Sequence, residues 1–121
     1  MGRRYTVDEA NAALPAVRES VLRLRDARRI VIEHGERVRG SASRNGGGAE
    51  GAAYWEALRT MRTELEHLAG EGVILRDTES GLLDFPSERE GREIQLCWKL
   101  GEDRVTHWHE IDAGFSNRRP L

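Results

Sequence analysis

The feature that most constrains this chain is a change of hydrophobic period at Gly72. Before it, apolar residues recur every three to four positions. After it, they alternate. Helices give the first pattern and half-buried strands the second. A chain that switches once in this way is expected to fold as α+β, with helices first and an antiparallel sheet after.

The stretch YTVDEANAALP, residues 5–15, reads as a helix start. Thr6 is a good N-cap, and Glu9 three residues on completes a capping box. Tyr5 and Ala10 occupy the positions of a hydrophobic staple. Pro15 leaves two alternatives open. A short helix ends near Leu14, or the helix kinks and Pro15 opens a longer segment. Leu14, Val17, Val21, Leu24, Val31 and Val38 then form a heptad-like stripe, with Arg28 in one core slot. Leu22, Ile30 and Ile32 widen it, which suits a helix with more than one neighbour.

The expected layout is one domain over 1–121. Helices span 7–39 and 52–69, and a flexible glycine-rich loop, GSASRNGGGAEG, spans 40–51. Tyr54, Leu58, Met61, Leu65 and Leu68 mark the second helix, which Gly70 and Gly72 stop. The sum is a long antiparallel helical hairpin packed on a small antiparallel β-meander over 73–110. The strands are VILRD, LLDF, REIQLCWKL and RVTHWHE, with turns TESG, SEREG and GED between them. Residues 111–121 read as an irregular tail pinned by Phe115.

Net charge is −2 and the charged fraction 33 %, so no global basic field argues for nucleic acid or membrane. Arg18, Arg23, Arg25, Arg28, Arg29, Arg37, Arg39 and Arg44 make the first helix locally basic. Without an aromatic platform they read as a solvated face. The lone cysteine excludes an internal disulfide and fits a reducing compartment. No apolar run suits a signal peptide or membrane span, so a cytoplasmic protein is expected. Gly2 and Thr6 match a myristoylation pattern, but Thr6 already serves as the N-cap. The wide stripe on the first helix predicts a homodimer through the helices.

Chemistry concentrates in LCWKLGEDRVTHWHE, residues 96–110. His107 and His109 share a strand face, with Cβ atoms roughly 6–7 Å apart. Such a pair can bind a divalent transition metal such as zinc or iron, completed by Cys97, Asp84 or Glu102. Register decides whether Cys97 joins. A three-residue turn sets Cys97 opposite His107 and Gln95 opposite His109. A two- or four-residue loop sets Cys97 opposite Trp108, away from the imidazoles. Asp84 interrupts an apolar strand and needs a partner if buried, for which Arg118 and His109 are candidates. Asp77 borders the turn TESG and can cap it. His34 and His67 find no ligand partner on their helices.

Several separated motifs, YTVDEANAALP, GVILRD, GLLDFP, LCWKLGE, WHE and GF..R.PL, resemble those of the prokaryotic domain of unknown function 2203 family. The resemblance implies a bacterial or archaeal cytosolic protein, with no established activity or cofactor. The family pattern stresses Asp77, Asp84, Cys97, Trp98, Glu102, Trp108, His109 and Arg118, and His107 less clearly.

The favoured function is thus a small intracellular metal- or ligand-binding protein. His107, His109, Cys97, Asp84 and Glu102 are its candidate ligands. Asp77, Trp98, Trp108 and Arg118 are supporting residues. The alternatives are a non-catalytic dimeric interaction module, and a small enzyme using Cys97 or the histidines.

Overall fold

A computed structural model of the chain describes residues 2–45 and 48–121. Two long helices, α1 (Val7–Asn45) and α2 (Gly48–Gly70), precede a five-stranded antiparallel sheet. Its strands are β1 (Ile74–Asp77), β2 (Leu82–Arg89), β3 (Arg92–Trp98), β4 (His107–Glu110) and β5 (Arg119–Pro120), side by side in chain order. No helix among the described residues is long and apolar enough to cross a membrane.

The start of α1 follows from its capping box. The Glu9 N–H donates to Thr6 Oγ1 at 3.1 Å, and the Thr6 N–H donates to Glu9 Oε1 at 2.8 Å. Tyr5 and Ala10 are both buried, as a staple requires. Helix α1 passes through Pro15, which is exposed, so the alternative of a short helix ending near Leu14 is set aside. Leu14 and Val17 on either side of the proline are buried in one core and hold the helix line.

The expected loop over 40–51 is a correction. Helix α1 runs on to Asn45 and α2 begins at Gly48, while Gly46 and Gly47 lie outside the described residues. Glycine and serine cost a helix at most about 1 kcal/mol each, and the two helices meet through polar contacts just beside this stretch. Both His34 and Arg37 engage the Glu50 carboxylate, and Arg39 donates to the Tyr54 hydroxyl at 2.8 Å. Arg37 holds Glu50 down at a pKa of about 2.

The α1 stripe and Leu68 of α2 meet one face of the sheet, made by Leu83, Phe85, Ile94, Leu96, Trp98 and Trp108. Burying each large apolar side chain stabilises by about 1.5–3 kcal/mol. Val31 and Arg28 are only half-buried and Ile32 is 63 % exposed. Arg28 therefore leaves its core slot for the edge, where it meets Glu79 at 3.8 Å. Other arginines of α1 are also engaged: Arg23 with Glu64, Arg29 with Glu79, Arg37 with Glu50.

The sheet corrects two further expectations. Strand β2 reaches Arg89, so SEREG is strand at its start. Only Glu90 and Gly91 turn, at φ 52° and 77°, between the paired Arg89 and Arg92. Positive φ at both central residues matches the twist of a two-residue hairpin. The tail is less irregular than expected. After a single 3-10 turn, Phe115–Asn117, β5 pairs with β4, setting Pro120 opposite His107 and Arg119 opposite Trp108. That pairing covers a strand edge whose backbone groups would otherwise need water.

Candidate metal centre

Alternation puts Asp84, Gln95, Cys97, His107 and His109 on the sheet face turned away from the helices. Pairing then decides which of them meet. Asp84 stands directly opposite Cys97, Cys97 opposite His107, and Gln95 opposite His109. This is the register of the three-residue turn. The connection that delivers it is longer, since residues 99–106 lie outside both strands. Within it Trp98 Nε1 donates to the Glu102 carbonyl at 2.9 Å, and the Lys99 N–H to Glu102 Oε1 at 3.1 Å.

Asp84, Cys97 and His109 each place one ligand atom within 4.8 Å of the other two, and all three residues are buried. His109 Nε2 lies 3.0 Å from Asp84 Oδ1. Two ligands roughly 2.0–2.1 Å from one tetrahedral ion stand roughly 3.3 Å apart, so this spacing is close to that of a shared ion. The other imidazole nitrogen settles the tautomer. Nδ1 lies 2.7 Å from the Glu110 carbonyl oxygen, which can only accept, so Nδ1 carries the proton. Nε2 is then free to offer its lone pair. With an ion between them, this nitrogen and the Asp84 carboxylate would both turn lone pairs to it.

Arg76 fixes the carboxylate, donating from Nε to Asp84 Oδ2 at 2.8 Å. Burial, then the Asp84 carboxylate, push the Cys97 thiol up to about 11, against the pull of the Arg118 guanidinium. The thiol is therefore protonated at neutral pH. It is a poor nucleophile as it stands, and it would lose its proton to a metal. One thiolate, one carboxylate and a neutral imidazole leave a divalent ion with no net charge, which suits burial.

The other expected ligands, His107 and Glu102, are not among the three residues of this group. His107 is half-buried, with Nδ1 2.9 Å from Thr106 Oγ1. Glu102 is held by Arg118 through contacts of 3.2 and 2.5 Å. Although burial pushes its carboxyl up, Arg118 and the Lys99 N–H hold it below the usual range. Arg118 also lies over the Phe115 ring at 4.3 Å, so it ties the tail to the turn beside Cys97. Asp77 caps its turn, accepting from the Ser80 N–H at 2.8 Å and the Ser80 hydroxyl at 2.6 Å. Trp98 and Trp108 belong to the core.

Asp84 thus pairs with Arg76 and His109, and Arg118 with Glu102. Sequence reasoning missed Arg76. Its signal was present: a buried aspartate needs a cation, and Arg76 stands two residues from Ile74, the residue opposite Asp84. His34 and His67, left without a role, each bridge the helices, His34 to Glu50 and His67 Nδ1 to Ser20 Oγ at 2.9 Å.

No curated protein and no solved structure matches this chain. One family model does, over residues 3–121, described as an uncharacterized conserved protein, DUF2203. That match spans nearly the whole chain, so the chain belongs to the DUF2203 family.

Proposed function

We propose that this chain is a metal-binding protein that holds one divalent transition ion through Asp84, Cys97 and His109. The supporting observation is the convergence of three buried ligand atoms within 4.8 Å. An oxygen, a sulfur and a nitrogen donor together suit zinc, and also iron or copper. Arg76 and the Glu110 carbonyl hold Asp84 and His109 from behind, as outer partners of metal ligands do. Untagged protein should carry near-stoichiometric metal by elemental analysis. Protein that is empty and shows no thermal shift with added zinc, iron or copper would end this reading.

We also propose that two copies pair through the helical hairpin. Ile32, Trp55 and Leu65 are large and exposed on the two helices. Beyond Leu24 the buried residues Ala27, Tyr54 and Ala57 lie outside the main core, and among the described residues this part of the hairpin is packed chiefly by its own two helices. Light scattering on untagged protein should give a dimer mass that Ile32→Glu reduces. A monomer mass for the unaltered chain would refute pairing.

A further inference from the structure

Three ligands leave a tetrahedral ion one position short. A pocket of about 310 Å³ opens onto all three of them. Part of its wall is apolar, from Leu82, Ile111 and Phe115, and part is charged, from Arg76 and Asp112. Ile111 is 48 % exposed, so a large apolar side chain stands in water at this rim. Arg76 commits Nε to Asp84, and its terminal nitrogens meet no protein acceptor among the described residues. A guanidinium with nitrogens to spare suits a carboxylate.

We infer that the pocket takes a small monocarboxylate with an apolar body, one oxygen at the ion's open position and the other at Arg76. The apolar body rests on Leu82, Ile111 and Phe115. Asp112 on the same wall repels a second negative charge, so phosphate and dicarboxylates bind less well than a monoanion. This inference rests on the metal reading above.

Cobalt(II) in place of the native ion makes both steps visible, because its absorption bands report which groups surround it. Benzoate is the probe, with acetate and inorganic phosphate beside it. Benzoate should shift the cobalt bands at a concentration roughly tenfold below that needed for acetate or phosphate. Ile111→Ser should weaken benzoate roughly tenfold and acetate little while cobalt affinity stays unchanged, since Ile111 lies outside the ligand set and serine adds no charge beside the ion. If cobalt loads and benzoate leaves its bands unmoved, or phosphate binds better, the inference is overturned and the metal reading stands. If cobalt does not load at all, the metal reading fails and takes the inference with it.

Discussion

The two faces of one sheet are built from alternate residues of the same strands, and different forces hold them. On the helix side, Leu83, Phe85, Leu96 and Trp98 are buried against α1, where attraction is non-directional and sums over area. On the other side, Asp84, Cys97 and His109 are just as buried, but polar contacts order them. The first face tolerates any well-filling apolar set. The second works only if each polar atom finds its partner. A fold that spends one face on stability leaves the other free for chemistry.

The largest expected effect lies on the apolar face. Trp98→Ala should cost about 3–5 kcal/mol in chemical denaturation, a large share of the stability of a domain this size. A loss of under about 1 kcal/mol would mean that the helix-side core carries little of the fold.

The next effect lies on the polar face. Cys97→Ser should lower metal affinity by more than about 100-fold, beyond the range typical of losing an outer partner. Competition with a colorimetric chelator measures this, and unchanged affinity would remove Cys97 from the ligand set. The same variant sharpens the comparison through pH. The buried thiol is raised from its ordinary 9.0 to about 11. Its contribution to the stability of metal-free protein is therefore complete below pH 9.0 and lost as pH rises toward about 11. Metal binding needs the thiolate, so affinity should instead climb with pH through the neutral range, by up to about tenfold per unit for one released proton. Cys97→Ser should abolish both slopes; retention of either would assign it to another group.

The smallest effect belongs to neither face and serves as a control. Thr6→Ala removes the N-cap bond to Glu9 and should cost about 1 kcal/mol, with metal affinity unchanged. A change in metal affinity as large as that of Cys97→Ser would show that the two faces are not energetically separate.

Short-range chemistry was legible in the sequence. The period change at Gly72, the Thr6/Glu9 box and the Asp77 turn each depend on residues a few positions apart. The structure reproduces all three. The glycine-rich stretch reads as loop because composition speaks of propensity alone, whereas helix runs to Asn45 and again from Gly48, with Glu50 held by His34 and Arg37. Alternation also assigned Cys97, His107 and His109 to faces. It could not choose a register, because the eight residues of 99–106 allow several alignments while only one buries Trp108 opposite Leu96.

Tertiary structure alone decided the rest. It joined His109 to Asp84 and Cys97 in one buried group, with His109 against Asp84 and the Glu110 carbonyl and His107 against Thr106. It gave Asp84 to Arg76 and Arg118 to Glu102. It set residues 111–115 along the wall of the site and sent the tail back as β5. Each of these depends on distances between residues far apart in the chain, and such distances exist only once the strands have paired.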